Sequence, residues 1–245
     1  MPSVREIAKM IDHSLLHPTM TDRVLREECE VAKEYDVASV CIKPYAVKMA
    51  VEILKDSDVL VGTVIGFPHG GNTIKVKAFE TEEAINDGAV EIDMVVNIGK
   101  VLSEDWEYID KEVETISNIT KKNNAVLKVI FENDFLPEDK YKIKLCEICN
   151  KHKVDFVKTS TGYGFVKGED GKYSYKGATE HDLKLMRKFS DPEIQVKAAG
   201  GVRTYEDTIK VRELGVTRIG ATATIAIVEA AKGNESKELN GPAGY

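Results

Sequence analysis

Two short apolar segments of the sequence each carry a lysine and end in small polar or glycine residues. The segment Phe156–Ser160 contains Lys158, and the segment Gln195–Ala199 contains Lys197. A lysine inside a buried strand is costly unless it is paired with an anion, or is neutral and chemically used. One of the two could therefore be a nucleophilic amine, and the other the cation that lowers its pKa. The residues alone do not say which is which.

Further ionisable residues lie inside other strand-like segments. The full set comprises Asp12, Lys43, Asp93, Lys128, Glu132, Lys158 and Lys197. In a purely structural network these groups would only neutralise one another. If they converge at one end of a barrel, we expect an active site instead. An activated amine would form an iminium with a carbonyl substrate there, and Asp93 would move protons.

The elements that position these residues alternate between strand and helix along the chain. Apolar, β-rich runs predict eight strands, at Ile11–Leu16, Ala38–Lys43, Leu60–Phe67, Glu91–Asn97, Val126–Glu132, Phe156–Ser160, Gln195–Ala199 and Arg218–Ala221. Amphipathic segments between them predict an α/β protein with a single (β/α)8 TIM barrel. We expect this barrel to comprise residues 1–232, followed by a polar tail, 233–245, that could fold over the active site. A doubly wound sheet is the second choice, but no glycine-rich dinucleotide motif follows an early strand.

Local signals predict the ends and faces of several helices. Thr21 is expected to cap the first long helix, and Pro137 to occupy a first helical position. Four of the charged residues in the segment Thr73–Asp87 predict a solvent-exposed face. They are Lys75, Lys77, Glu82 and Glu83.

The composition excludes several classes of function. A net charge of −7 argues against nucleic acid, and no apolar run approaches the ~20 residues of a membrane span. The N-terminus lacks a signal-peptide pattern and four cysteines do not form a disulfide framework, so we expect a cytoplasmic protein. Cys146 and Cys149 lie in a helical pattern without a second ligand pair, which favours helix packing over a redox or zinc site. The five histidines show no ligand spacing, so we expect neither a metal nor a cofactor.

Three late strands end in residues suited to binding an anion. Barrels of this kind often hold phosphate at the loops after these strands, where glycines let backbone N–H groups approach closely. The candidate phosphate-binding residues are Gly162, Gly200, Gly201, Arg203, Gly220 and Thr222. Each turn alone would be unremarkable, but three together predict a phosphate site.

The sequence resembles the deoxyribose-phosphate aldolase family of class I, Schiff-base aldolases. Matching motifs occur in order along almost the whole chain, and their combination is specific where any one alone is not. They are Ile11-Asp12-His13-Ser14-Leu15-Leu16, Val64-Ile65-Gly66-Phe67-Pro68, Glu91-Ile92-Asp93-Met94-Val95-Val96-Asn97, Leu127-Lys128-Val129-Ile130, Val157-Lys158-Thr159-Ser160-Thr161-Gly162 and Lys197-Ala198-Ala199-Gly200-Gly201-Val202-Arg203.

The resemblance implies a reaction and a set of roles. The reaction is the reversible cleavage of 2-deoxy-D-ribose 5-phosphate to acetaldehyde and D-glyceraldehyde 3-phosphate, without a metal. Lys158 matches the Schiff-base lysine, Lys197 the second lysine that lowers its pKa, and Asp93 the acid/base carboxylate. Other positions match the substrate pocket, namely Asp12, Cys41, Lys128, Thr161 and a C-terminal tyrosine, Tyr245. The implied partners are small sugar phosphates and aldehydes, and the implied assembly is a homodimer or homotetramer.

The sequence also departs from the pattern of the family. Thr222 and Ala223 stand where relatives usually carry serine, and Lys43 stands where they often have an uncharged polar residue. The loop 163–178 is longer than usual and could be a lid or a hairpin. Two alternatives therefore stay open. They are a Schiff-base aldolase or transaldolase for another sugar phosphate, and a catalytically silent sugar-phosphate-binding barrel.

Overall fold

The computed structural model describes residues 2–234, and within them eight parallel strands close into a barrel. The described residues form ten strands, of which β7 and β8 lie outside the barrel. In chain order they are β1 (Ile11–Leu15), β2 (Ser39–Ile42), β3 (Leu60–Ile65), β4 (Glu91–Val95), β5 (Val126–Ile130), β6 (Phe156–Lys158), β7 (Val166–Lys167), β8 (Tyr173–Ser174), β9 (Gln195–Ala199) and β10 (Arg218–Ala221). The barrel order is β1-β2-β3-β4-β5-β6-β9-β10, and β10 pairs with β1. The predicted TIM barrel is confirmed, and each predicted strand overlaps an observed one.

Helices surround the barrel and follow the strands. They are α1 (Val4–Ala8), α2 (Asp22–Glu34), α3 (Val47–Leu54), α4 (Ile74–Asn86), α5 (Ile98–Leu102), α6 (Trp106–Lys122), α7 (Asp139–Lys151), α8 (Glu180–Phe189), α9 (Tyr205–Glu213) and α10 (Thr224–Ala231). Thr21 caps α2 as predicted, its hydroxyl accepting from the Val24 N–H. The prediction for Pro137 is wrong, because Glu138 is the N-cap of α7 and the proline precedes it. Within residues 2–234, no helix combines the length and apolar character needed to cross a bilayer.

The main hydrophobic core lies between the barrel and its helices. Side chains alternate along each strand, so one set faces the helices and the other faces the barrel interior. The outward set is mainly apolar, and members such as Val40, Ile92 and Val157 are fully buried. Cys146 and Cys149 are buried in this layer on α7, consistent with helix packing. The inward set includes seven ionisable side chains beside smaller polar and apolar ones, and it forms the candidate active site.

The long loop after β6 contains a hairpin. Its strands β7 and β8 pair antiparallel, with Val166 opposite Ser174 and Lys167 opposite Tyr173. Residues 163–178 therefore include a hairpin, and its role as a lid or as an oligomer contact stays a prediction. Its two strands are exposed to solvent.

Lys77 corrects the predicted exposed face of α4. Its ammonium group is fully buried and donates to the Glu112 carboxylate at 2.7 Å and to the Val95 carbonyl at 2.6 Å. Glu112 in turn accepts from the Asn97 N–H at 2.9 Å. The pair thus joins α4 and α6 to the end of β4. Its partner lies on another helix, so the local charge pattern of α4 did not indicate burial.

We expect the substitution Lys77→Met to cost about 3–5 kcal/mol of unfolding free energy, because it leaves the Glu112 charge buried without a partner. The double variant Lys77→Met/Glu112→Gln should recover most of that loss, since the amide oxygen still accepts from Asn97. Urea denaturation measures both. Lys184→Met is the control, because Lys184 and Glu180 form an exposed pair and its loss should be much smaller. Equal losses for the Lys77 and Lys184 variants would contradict a structural role for the buried pair.

Candidate active site

The inward side chains of six barrel strands form a buried ion cluster. It comprises Asp12, Glu91, Asp93, Lys128, Lys158, Lys197 and Arg218. Strand register brings these residues together. Lys158 on β6 is the register partner of Lys197 on β9, and Asp93 on β4 is the partner of Lys128 on β5. A barrel interior filled with charge has little water to screen it, so each group depends on its neighbours.

Asp93 occupies the centre of the ion cluster. Its Oδ2 accepts from Lys158 Nζ at 2.7 Å and from Lys197 Nζ at 2.8 Å, and its Oδ1 lies 3.3 Å from Lys128 Nζ. Burial alone would raise the pKa of Asp93, but the three lysines outweigh it and hold the pKa well below its usual range. Asp93 is therefore an anion that connects both candidate amines.

Asp12 and Glu91 bind the remaining cations of the ion cluster. Asp12 contacts Lys128 at 2.8 Å, Arg218 at 2.5 Å and also Lys197. Glu91 contacts Lys128 at 2.5 Å and Arg218 at 3.1 Å. Burial opposes charge on both Lys128 and Lys197, but the nearby carboxylates prevail and raise the pKa of each lysine. These two lysines are thus held as ammonium ions.

Counting the contacts separates the two candidate nucleophiles. Among the described residues, the ion cluster has three carboxylates but would have four cations if every basic group were protonated. Arginine side chains stay protonated in proteins, so Arg218 is charged. Lys128 and Lys197 each contact at least two carboxylates. Lys158 contacts only Asp93, and burial together with the charge of Lys197 lowers its pKa. Lys158 is therefore the amine that loses its proton at the lowest cost.

A pocket of about 600 Å³, including its open mouth, reaches both candidate amines. Asp12 and Cys41 contribute to its inner wall. Its outer wall includes the glycine-bearing loops after β6, β9 and β10, and with them every candidate phosphate-binding residue predicted from the sequence. Gly162, Gly200 and Gly201 adopt φ of +88°, +84° and +90°. These left-handed conformations favour glycine and turn the backbone along the pocket.

The sequence model of the DeoC/LacD family of aldolases matches residues 6–227 of this chain. The chain belongs to that family. A deoxyribose-phosphate aldolase from Rhodopirellula baltica is 47% identical over 238 residues, which cover 97% of this chain and 92% of the relative. One from Caldanaerobacter subterraneus is 48% identical over 228 residues, covering 93% and 94%. The tetrameric structure of deoxyribose phosphate aldolase from Aeropyrum pernix superposes with a TM-score of 0.83 at 28% identity, covering 95% of this chain and 93% of that one.

The aldolase does not bring all seven predicted ionisable residues into one cluster. Lys43 follows β2 and donates to the carbonyls of His17 and Met20, at 3.2 and 2.7 Å. Glu132 lies two residues after the end of β5 and faces the loop after β6 instead. Lys128, predicted to line the substrate pocket, lies one layer deeper in the barrel. Alternation indicated which strand faces carry charge, but not how far along the barrel axis each charge lies.

Sequence reasoning missed Glu91 and Arg218 in the ion cluster and Tyr175 on the pocket wall. Glu91 lies two residues before Asp93, and Arg218 two residues before Gly220, so alternation places both on the inner face. That signal was available, but each residue begins its strand and resembled a solvent-exposed end. Tyr175 had no comparable signal, because it reaches the pocket from the hairpin. Tyr245 and most of the predicted tail lie outside the described residues.

One group of side chains away from the pocket could geometrically hold a cation. It consists of Asp139, His181 and Asp182, on α7 and α8. Lys142 already contacts Asp182 at 2.6 Å and Asp139 at 3.1 Å, so its ammonium group lies where a cation would bind. We assign it no metal role.

Glu132 fixes the loop that follows the candidate nucleophile. Its carboxylate accepts from the Thr161 N–H at 3.2 Å and contacts the Thr161 hydroxyl. A Cβ added at Gly164 would lie 2.7 Å from the same carboxylate, so the loop backbone packs directly on it. Burial raises the pKa of Glu132 to about 7. This residue has an unusual left-handed conformation, with φ of 58° and ψ of 63°.

The raised pKa of Glu132 predicts a pH dependence of stability. The folded state holds this proton more tightly than the unfolded state, whose pKa is ~4.3, so the stabilisation is complete below that value. It is lost as the pH rises through about 7. The unfolding free energy of Glu132→Gln should therefore fall less than that of wild type between pH 5 and pH 8, by up to a few kcal/mol. Urea denaturation across that range measures the difference.

The exposed residue Glu193 offers a control for that experiment. Because its side chain lies in solvent, Glu193→Gln should follow the pH profile of wild type. Parallel profiles for wild type and Glu132→Gln would mean that Glu132 does not gain a proton in the folded aldolase at these pH values.

Proposed function

We propose that this chain is a class I aldolase that reversibly cleaves 2-deoxy-D-ribose 5-phosphate to acetaldehyde and D-glyceraldehyde 3-phosphate. The observation that carries the proposal is the position of Lys158. This lysine contacts one carboxylate and lines a pocket whose outer wall suits an anion. We infer the substrate from the relatives named deoxyribose-phosphate aldolase, which match this chain over most of their own length.

In the cleavage direction, Lys158 Nζ adds to the C1 aldehyde of the open-chain sugar, and loss of water gives an iminium ion. The iminium withdraws electrons from the C2–C3 bond. As the C3 hydroxyl loses its proton, that bond breaks, D-glyceraldehyde 3-phosphate leaves, and the electron pair remains as an enamine. Protonation of the enamine at C2, followed by addition of water at C1, releases acetaldehyde and restores the amine.

Lys197 and Asp93 serve this sequence in different ways. Lys197 remains an ammonium ion because Asp12 and Asp93 hold its proton, and its charge favours the neutral form of Lys158. Asp93 accepts hydrogen bonds from both amines, so it can relay protons through water to and from the reacting nitrogen. Asp93 takes up a proton most readily at the stages at which the nitrogen of Lys158 carries no charge. At those stages one cation fewer lies beside Asp93, so its pKa is lowered less.

The phosphate group would occupy the outer wall of the pocket. Gly162, Gly200, Gly201 and Gly220 permit close backbone approach, and Arg203 supplies a positive charge. Thr222 supplies a hydroxyl just before α10 begins. An anion there would also benefit from the N-terminus of that helix. Binding the phosphate at this wall leaves the aldehyde end of the substrate directed at Lys158.

We also propose a cytoplasmic homodimer or homotetramer. The tetrameric relative from Aeropyrum pernix supports an oligomer. Four buried free cysteines agree with a protein that needs no disulfide within the described residues.

Borohydride trapping with acetaldehyde, in the presence of EDTA, tests the proposed nucleophile. Because the neutral amine of Lys158 forms the iminium, peptide mass spectrometry should find an ethyl group on Lys158 and little adduct in Lys158→Met. Lys197→Met is the matched control. It should still be labelled on Lys158, at about 10- to 100-fold lower rate at pH 7, since losing a neighbouring cation raises the pKa of Lys158 and leaves less of the neutral amine.

Two other outcomes of that experiment would change the proposal. An adduct on Lys197 would keep the chemistry but exchange the two lysines. Unlabelled protein that still binds deoxyribose 5-phosphate would leave only a sugar-phosphate-binding function.

A further inference from the structure

Tyr175 is the part of the hairpin that reaches the candidate phosphate pocket. The pocket wall is otherwise built from barrel strands and the loops that follow them, whereas Tyr175 lies just after β8. Its ring contacts the Phe165 ring edge-on, with centroids 5.1 Å apart. The hairpin therefore contributes a packed aromatic side chain to a site whose other walls come from the barrel.

The base of the hairpin forms hydrogen bonds with Asp134 and with the glycine-bearing loop after β9. The Asp134 carboxylate accepts from the backbone N–H groups of Lys176, at 2.5 Å, and Gly177, at 3.0 Å. Ala178 N donates to the Gly200 carbonyl at 3.0 Å. A Cβ at Gly177 would lie 2.6 Å from that same carbonyl, so the two backbones are in direct contact. This contact holds Tyr175 in a fixed place relative to Gly200.

The hydroxyl of Tyr175 lies beside the cationic group of the pocket. Its oxygen is 3.5 Å from Arg203 Nη2. The ring lies against Gly200, where an added Cβ would be 3.3 Å from a ring carbon. A phenol hydroxyl and a guanidinium group can donate together to the oxygens of one phosphate. Because the two groups lie close together at the pocket wall, a phosphate monoester bound there would have two side-chain donors in addition to backbone N–H groups.

We propose that Tyr175 is a phosphate-binding residue that gives this aldolase its preference for phosphorylated over unphosphorylated deoxyribose. The inference rests on the proposed function for the identity of the sugar. Tyr175 donates from its hydroxyl to the substrate phosphate next to Arg203, while its ring covers Gly200. The hairpin is then a specificity element for the phosphate end of the substrate, and it takes no part in the chemistry at Lys158.

The chain contains a matched control two residues away. Tyr173 belongs to the same hairpin, but its side chain is 66% exposed and it is not part of the pocket wall. The substitutions Tyr175→Phe and Tyr173→Phe each remove one hydroxyl and keep the ring. The packing of residue 175 on Phe165 and Gly200 is therefore retained, so the variant is expected to fold.

Steady-state kinetics with two substrates test the proposal. Tyr175→Phe should raise KM for deoxyribose 5-phosphate about tenfold, the effect of one hydrogen bond to a charged group, with kcat nearly unchanged. Its kcat/KM for 2-deoxy-D-ribose should equal that of wild type, and Tyr173→Phe should alter neither substrate. An unchanged KM for the phosphorylated sugar, or an equal loss with both sugars, would overturn the proposal.

Titration with inorganic phosphate keeps this test separate from the proposed function. Tyr175→Phe should weaken phosphate binding about tenfold, whether or not the sugar is cleaved. If wild type cleaves neither sugar, the proposed function fails and phosphate affinity alone decides the role of Tyr175. Equal phosphate affinity in wild type and Tyr175→Phe would overturn that role.

Discussion

The structure depends on the sharing of one carboxylate, Asp93, by lysines in a barrel interior that excludes most water. Three carboxylates face four basic groups, and Arg218, Lys128 and Lys197 hold their protons through several carboxylate contacts each. Among the described residues, Lys158 has Asp93 as its single carboxylate contact, so it is the basic group that gives up its proton at the lowest cost. The reactivity of a single amine is therefore a property of the whole ion cluster.

The rest of the fold closes the barrel and holds in place the strands that carry the ion cluster. Apolar side chains on the outer strand faces pack against the helices and form the main hydrophobic core, so the ion cluster can occupy part of the barrel interior. The Lys77–Glu112 pair fixes the end of β4, the strand that carries Asp93. Glu132 fixes the loop after β6, which carries Lys158. Hydrophobic packing thus closes the barrel, and buried polar contacts hold the strand ends that carry the reacting groups.

Much of this arrangement could be predicted from the sequence, because period-2 alternation directly reports which strand residues share a face. It placed Lys158, Lys197 and Asp93 on inner faces and located the glycine-bearing loops. It did not identify the lysine that loses its proton more readily, since that depends on the whole ion cluster, including Glu91 and Arg218, whose contacts cross the barrel. Burial of Lys77 and the position of Tyr175 were missed for the same reason: both depend on packing between distant elements, which local patterns do not encode.

The pKa of Lys158, followed through its 13Cε NMR resonance in lysine-labelled protein, tests this account most directly. We expect a midpoint well below the usual lysine value of ~10.4. Glu91→Gln should lower it further, because it removes a negative charge, and Arg218→Gln should raise it. A Lys158 resonance that stays protonated up to the usual value, or that does not respond to either variant, would contradict the claim that the ion cluster sets the reactivity of this amine.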